Sequence, residues 1–368
     1  MPALSVTRLP ADARRLWQIL SAYGTTWLVG GAVRDLALEM SPGDVDLATA
    51  LHPPRVRELA SAQGYRTIAV GQEFGRVGVV TGAGVVDVTT FREESEYADG
   101  RHPARVRFTT DGVRDLLRRD FTINAMAMAL EGGLIDPTGG LSDLAAGVIR
   151  AVGSAHQRVA EDHLRILRAI RFTAYGPGSF ELAADLQDAI TGRSAELLAI
   201  SSARRGAEWN AILRHPWPDR ALETGARCRL WAPWERGGRA LAALSDPAAR
   251  LLALQLTYEM GQLGRLEWPR ELRLRARRIG RMLAGQDPVR GGEGAAAREL
   301  ADWLGRPDPV HLLRGEEVMR LFHLDGRAVG DVLAEQRRLL EAAPATLSRE
   351  ALIDQLGRFV QNLRKSSD

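Results

Sequence analysis

Lysine is all but missing from this chain of 368 residues: Lys365 is the only one, so the other basic side chains are arginine. Cys228 is the only cysteine, which excludes an intramolecular disulfide and any multi-cysteine metal site. The 7 histidines are scattered without metal-ligand spacing, and no His-Asp phosphohydrolase motif is present. No apolar run approaches the ~20 residues of a membrane-spanning helix, so no membrane partner is expected. The start, Met1 to Arg8, lacks the charged and then apolar segments of a leader, and the expectation is a cytoplasmic protein. A strong excess of one charge is also absent. The formal net charge is +3 with a pI near 9.4, which permits nucleic-acid binding without demanding it.

What is present is apolar content of 45%, enough for more than one core. The first ~145 residues alternate strand and helix signals. Strands are expected at Trp27 to Val29, Asp44 to Ala48, Thr67 to Val70, Arg76 to Val80 and Val85 to Phe91. Helices are expected at Ala11 to Tyr23, Ala32 to Glu39 and Pro54 to Gln63. Beyond Ala151 helical periodicity dominates, punctuated by Gly176-Pro177-Gly178 and His215-Pro216-Trp217-Pro218. Gly285 to Gly294 is the expected linker.

The segment Leu28-Val29-Gly30-Gly31-Ala32-Val33-Arg34-Asp35 is followed by Gly43-Asp44-Val45-Asp46-Leu47-Ala48-Thr49. On a strand, residues i and i+2 face the same side, so Asp44 and Asp46 would stand together. Like charges that close repel unless a cation lies between them, and hard carboxylate oxygens suit Mg²⁺. Gly30 and Gly31 let backbone N–H groups approach a phosphate, and Arg34 adds positive charge. Each half alone reads as an ordinary turn or Asx turn; together they point to nucleotidyl transfer.

In this order and spacing the pair resembles motif A of the DNA polymerase β-like nucleotidyltransferases. The wording GGAVRD then GDVDLAT resembles the branch that holds class II CCA-adding enzymes and bacterial poly(A) polymerases. That resemblance continues in Arg118-Arg119-Asp120-Phe121-Thr122-Ile123-Asn124-Ala125, which is similar to motif B. There two arginines can neutralise a triphosphate. Asp120 can accept from a ribose hydroxyl with Asn124 in support, or the Arg-Asp pair caps a helix from Phe121 to Leu130. Asp87, within Val85 to Arg92, is either a third acidic group beside the pair or half of a structural ion pair. Arg92 to Pro103 is polar and turn-rich, a default mobile loop. In the family a flexible loop here helps the switch to adding the terminal A. Gly139 to Gly147 resembles the family's head-to-neck junction, and reads equally as a plain helix cap.

In Glu161-Asp162-His163-Leu164-Arg165-Ile166-Leu167-Arg168-Ala169-Ile170-Arg171-Phe172, the residues Asp162, Arg165, Arg168 and Arg171 advance by three along a helix. One reading is an amphipathic helix with an Asp-Arg ion pair. The other is chemical. Cytosine and adenine both present an exocyclic amine beside a ring acceptor, and uracil and guanine present the reverse. An aspartate with an arginine therefore selects C and A, since each unpaired buried group costs ~1–3 kcal/mol. The pattern resembles motif D of the CCA-adding enzymes, where the matching Asp and Arg play this part. By the same resemblance Arg168 and Arg171 would bind the nucleotide. Ile200 to Glu208 falls where motif E would lie but matches poorly, with Ala203 in place of an acidic residue. Arg270 to Arg281 carries 6 arginines and, as a helix, would be charged on most faces. It is either an RNA phosphate contact or a solvated face. Leu312 to Leu333 faintly resembles the family's tail.

The resemblance implies an α+β head with a polymerase β-like sheet, followed by an all-α neck, body and tail. Expected limits are 1–147 for the head, 148–214 for the neck, 215–290 for the body and 291–368 for the tail. It implies addition of CCA to the tRNA 3′ end from CTP and ATP. Asp44 and Asp46 would hold two Mg²⁺ ions; Gly31, Arg34 and Arg119 would hold the triphosphate; Asp162 and Arg165 would read the base. Poly(A) synthesis, CC-only or A-only addition, and an inactive RNA-binding protein are the rival readings. Oligomeric state is not legible.

Overall fold

The computed structural model describes residues 5–68, 74–97, 103–176, 180–231, 241–257, 270–283, 289–303, 313, 315–324, 326–342 and 349–365. The chain falls into two units, Met1–Ile200 with Arg227–Leu230, and Ser201–Ala226 with Trp231–Asp368.

The first unit begins with α1 (Ala11–Ser21), whose apolar residues Ala13, Leu16, Trp17 and Leu20 recur at helical spacing and are buried. The Trp17 indole N–H donates to the Thr26 carbonyl at 3.0 Å, tying α1 to the first strand. There follow β1 (Thr26–Val29), α2 (Gly31–Ala37), β2 (Asp46–Thr49), α3 (Pro53–Ala62), β3 (Arg66–Ile68), β4 (Arg76–Thr81) and β5 (Gly84–Thr90). Then come β6 (Arg92–Tyr97), β7 (Pro103–Phe108), α4 (Gly112–Leu117), β8 (Ala127–Met128), β9 (Leu134–Ile135), α5 (Gly140–Ala146) and β10 (Val148–Ile149). The unit continues through α6 (Ala155–Glu161), α7 (Leu164–Thr173), β11 (Glu181–Leu182) and α8 (Ala184–Gly192).

Seven strands make one sheet in the order β3-β4-β5-β2-β1-β8-β9. Every pairing in it is antiparallel except β2 with β5. That parallel pair places Asp46 directly beside Asp87 at the start of the central strand. Beneath it, Val29, Ala48, Phe91, Leu116 and Ala127 form a buried cluster, with Trp27 packed on Phe91 at 5.1 Å between ring centroids.

Three expectations are corrected. The strand expected from Asp44 starts at Asp46, and Asp44 sits in the bend before it, so the two carboxylates are not i, i+2 neighbours on one strand. The helix from Phe121 to Leu130, part of the alternative reading of motif B, does not form. Phe121 is extended, Thr122–Asn124 makes one 3₁₀ turn, and the chain then enters β8. Its run Ile123 to Met128 is buried throughout, Asn124 included, so periodicity could not separate strand from helix. The expected loop after Arg92 is largely a two-stranded hairpin, β6 with β7; residues 98–102 lie outside the described residues. Ala69 and Val70, the end of one expected strand, also lie outside them.

Among its described residues the second unit is helical: α9 (Ser202–Arg214), α10 (Pro218–Arg227), α11 (Pro247–Thr257), α12 (Arg270–Leu283), α13 (Gly291–Trp303), α14 (Gly315–Phe322), α15 (Gly326–Ala342) and α16 (Arg349–Lys365). The expected linker partly becomes α13, and residues 285–288 lie outside the described ones. Buried Arg250 in α11 donates to the carbonyls of Leu244, Leu213 and His215 at 2.6, 2.7 and 2.7 Å, gathering the end of α9 onto α11. Val318, Val329, Val332, Leu352, Leu356 and Val360 join α14, α15 and α16 in one apolar core. The arginine-rich α12 is not charged all round. Leu272, Ala276, Ile279, Met282 and Leu283 make a buried stripe. Arg270, Arg273, Arg277 and Arg281 lie on the opposite, exposed face, spread over about 16 Å of helix.

Candidate active site

The glycine pair closes the turn from β1 into α2. Gly30 has φ +68°, and its N–H donates to the Met126 carbonyl at 3.1 Å. A Cβ on Gly30 would lie 2.7 Å from a guanidinium nitrogen of Arg119, so only glycine admits that arginine against the turn.

Asp46 is the focus of negative charge. Burial raises its carboxyl above the ordinary value, and Asp87 and Asp44 raise it further against the lowering pull of Arg119 and Arg76. The carboxylate of Asp87 is gripped by both ends of the Arg76 guanidinium, with one contact at 3.0 Å. Both readings of Asp87 therefore hold at once: it neighbours Asp46 and it is half of an ion pair. Among the described residues no three acid, histidine or cysteine side chains converge as a complete metal cluster. Asp44 and Asp46, with their shared excess of negative charge, still make a donor set suited to a hard divalent cation.

A cleft of about 630 Å³ opens over Asp46 and Asp87 and is walled by Arg76, Arg92, Arg118, Arg119 and Arg168, with Phe74 at its rim. Five arginines against two aspartates make it suited to a polyanion. Of the residues expected from the sequence, Asp46, Arg118, Arg119 and Arg168 meet here.

Arg34 does not line this cleft. Its side chain is 8% exposed and lies over the rings of Tyr175 and Phe172 at 4.2 and 5.1 Å. It donates from Nε and Nη2 to Asp35 at 3.1 and 2.8 Å, and from Nη1 to Asn124 at 2.6 Å. Asp35 also accepts the Tyr175 hydroxyl, whose pKa burial and Asp35 push up to about 12. Asn124 donates onward to Asp120 at 3.2 Å, and Asp120 accepts Arg168 Nε at 2.7 Å. A buried polar chain thus runs Tyr175, Asp35, Arg34, Asn124, Asp120, Arg168.

The motif after Glu161 is split by a bend. Asp162 ends α6 with extended backbone, and its carboxylate accepts the Leu164 amide at 3.0 Å, so it caps α7 rather than sharing its face. Arg165 pairs with Glu161 at 2.7 Å and donates to the Arg158 carbonyl at 2.8 Å; the partner is Glu161 and not Asp162. Arg171 lies over the Phe172 ring at 4.5 Å. Sequence reasoning missed Arg76, Arg92 and Phe74 in the cleft and the buried Asp115 behind it. Asp115 stands three and four residues before Arg118 and Arg119, a helical spacing that would have paired them.

Residues 26–150 match the poly A polymerase head domain. The head holds every residue of the cleft except Arg168, which comes from α7. The chain is 44% identical over 213 residues to the CCA-adding enzyme of Geobacillus sp. (strain WCH70), covering 56% of this chain and 51% of that protein. In sequence the chain thus spans about half the length of the curated relatives it matches. In structure it resembles the Bacillus stearothermophilus CCA-adding enzyme in complex with CTP, with a TM-score of 0.68 at 26% identity over 96% of this chain and 98% of that one. The Thermotoga maritima CCA-adding enzyme complexed with tRNA shares the fold, with a TM-score of 0.58 at 20% identity over 95% of this chain and 96% of that one. No helix among the described residues is long and apolar enough to cross a membrane.

Proposed function

We propose that this protein is a tRNA nucleotidyltransferase, adding or repairing the 3′-terminal CCA of tRNA from CTP and ATP without a nucleic-acid template. The observation that carries the reading is Asp46, set beside Asp87 at the floor of a cleft walled by five arginines. A triphosphate fits that charge pattern, and likeness to a CCA-adding enzyme in complex with CTP supports a cytidine nucleotide as one substrate.

The reaction is attack of the tRNA 3′-hydroxyl on the α-phosphate, with pyrophosphate leaving. Arg118, Arg119 and Arg168 neutralise the triphosphate, and the Gly30-Gly31 turn admits it close to backbone. Arg34 serves from behind, holding Asn124 and so Asp120 beneath Arg168. Asp44 and Asp46 would hold Mg²⁺, two ions in the family's mechanism, which when bound supplies charge neutralisation at the reacting phosphate and favours the deprotonated hydroxyl. Asp162 and Arg165 read the base edge, Glu161 orienting Arg165 for that task; Arg171 adds positive charge further along α7.

The deciding experiment is extension of tRNA transcripts ending before CCA, after C and after CC, with Mg²⁺ and with CTP and ATP apart and together. Stepwise addition that stops at CCA is the expected result. Long A tails on unrelated RNA would make this a poly(A) polymerase. CC-only or A-only products would place it in a split pathway, and no extension at all would leave an RNA-binding protein. In the same assay Asp162→Ala is expected to narrow the preference for CTP and ATP over UTP and GTP by about tenfold, since an unpaired polar group at the base edge costs ~1–3 kcal/mol. Unchanged selectivity would leave Asp162 with its capping role alone.

The exposed face of α12 is the body's proposed contact with tRNA phosphates. Among the described residues Arg270, Arg273 and Arg277 have no carboxylate partner, whereas Arg278 is tied to Glu293 at 2.7 Å. Arg273→Ala with Arg277→Ala is expected to weaken tRNA binding several-fold at low salt. The slope of log K against log[salt] should flatten by roughly one for each phosphate that these arginines neutralise. An unaltered slope would mean that the face is merely solvated.

A further inference from the structure

Asp115 is buried to 1% side-chain exposure in α4, directly behind the cleft. Burial alone would raise its carboxyl, but Arg118 and Arg119 outweigh that and hold it below the ordinary value. One oxygen accepts Arg118 Nε at 2.9 Å and the backbone N–H of Arg92 at 3.2 Å. The other accepts Arg119 Nη2 at 3.3 Å. Both guanidinium groups line the cleft, and Arg92 is at once a cleft residue and the root of the β6–β7 hairpin. Asp115 itself does not line the cleft. Arg119 Nη1 also reaches the Asn124 carbonyl at 3.5 Å, so this guanidinium is held at both terminal nitrogens, while its buried Nε–H has no acceptor among the described residues. A guanidinium loses rotamer entropy whenever it binds an anion, and prior fixation by a buried carboxylate removes part of that cost.

We propose that Asp115 is the positioning residue of the arginine wall: one buried carboxylate presets Arg118 and Arg119 for a nucleoside triphosphate and fastens the hairpin root to the same point. The inference rests on the nucleotidyl-transfer reading of the cleft. It assigns Asp115 no contact with substrate. Its effect must therefore pass through the two arginines and fall on the phosphates rather than on the base or ribose.

The test is binding of CTP and of cytidine to the full chain, measured by calorimetry for wild type, Asp115→Asn, Asp115→Glu, Arg119→Ala and the double variant Asp115→Asn with Arg119→Ala. Asparagine removes the charge at constant shape, and glutamate keeps the charge but moves it by one methylene. Affinity for CTP is expected to fall about tenfold or more in Asp115→Asn and by less in Asp115→Glu, with cytidine binding unchanged. In the double variant the loss should be smaller than the sum of the two single losses, because part of the effect of Asp115 acts through Arg119. Amide exchange at Arg92 should quicken in Asp115→Asn. CTP affinity unchanged in folded Asp115→Asn, or equal losses for CTP and cytidine, would overturn the proposal. Should the asparagine variant not fold, the same comparison in Asp115→Glu decides. Wild type that binds no CTP would overturn the reading of the cleft itself, and the inference with it.

Discussion

Asp46→Asn is expected to cut nucleotide incorporation by about 10³-fold or more while the protein stays folded and still binds CTP. Asp46 is the first residue of the central strand, and its carboxylate is the point on which the charges of Asp87 and Asp44 converge. Asparagine has nearly the same shape, so the strand pairing survives. The sign of the stability effect follows from the raised carboxyl. A group that is harder to ionise in the folded state than in the unfolded chain detracts from stability at neutral pH, and the penalty fades as pH falls and the group protonates. The variant should therefore unfold at the same or a slightly higher temperature than wild type at pH 7, the opposite of what a structural aspartate would give. Labelled CTP incorporation into tRNA lacking CCA, read beside thermal unfolding, checks both halves. Activity within tenfold of wild type would remove Asp46 from the chemistry.

Asp120→Ala should cost about 3 kcal/mol of stability and weaken nucleotide binding as well. Its buried carboxylate accepts the Phe121 amide at 2.8 Å, Asn124 Nδ2 at 3.2 Å and Arg168 Nε at 2.7 Å. Removing one partner of a fully buried pair costs ~3–5 kcal/mol. The figure belongs at the low end because the Arg168 side chain is 35% exposed and water can reach it. Burial would raise this carboxyl, yet Arg168, Asn124 and the Phe121 amide outweigh burial and hold it well below the usual carboxylate range. A depressed carboxyl contributes stability that is fully present above the unfolded value, near pH 4, and is lost as pH falls through the folded value. The gap between wild type and Asp120→Ala should therefore be widest at neutral pH and narrow below about pH 4. Urea unfolding of both proteins at pH 7 and pH 3 measures it. A gap independent of pH would mean that the lost energy is packing rather than charge.

Much of the head could be read from residue order because its signals are local. The Gly-Gly turn, α1 with its buried Leu16 and Leu20, and the strands holding Asp46 and Asp87 each follow from a few neighbouring residues. What could not be read depends on partners far apart in sequence. Arg34 looks like a phosphate ligand in its own segment, and only the arrival of Asn124, 90 residues later, and of Tyr175 turns it inward. Asp162 and Arg165 have the spacing of a helical ion pair, yet the backbone bends at Asp162 and Glu161 takes the arginine. Phe121 to Leu130 has the composition of a helix, yet it makes one 3₁₀ turn and then the short strand β8, whose Ala127 and Met128 pair with β1. The arginine stripe of α12 was visible as charge, whereas its single apolar face depended on which residues the fold buried.

The polar chain starts at Tyr175, two residues beyond the end of α7, and runs by way of α2 and motif B to Arg168 within that helix. It is a relay in which each member satisfies the next. Changing one member strands a buried neighbour, at ~1–3 kcal/mol, so any single substitution begins at a loss even when the final combination would be sound. Such positions are inherited as a block: drift can rewrite these six side chains only together. A designer who transplants this helix into another protein must carry Arg34, Asp35, Asn124 and Asp120 along with it.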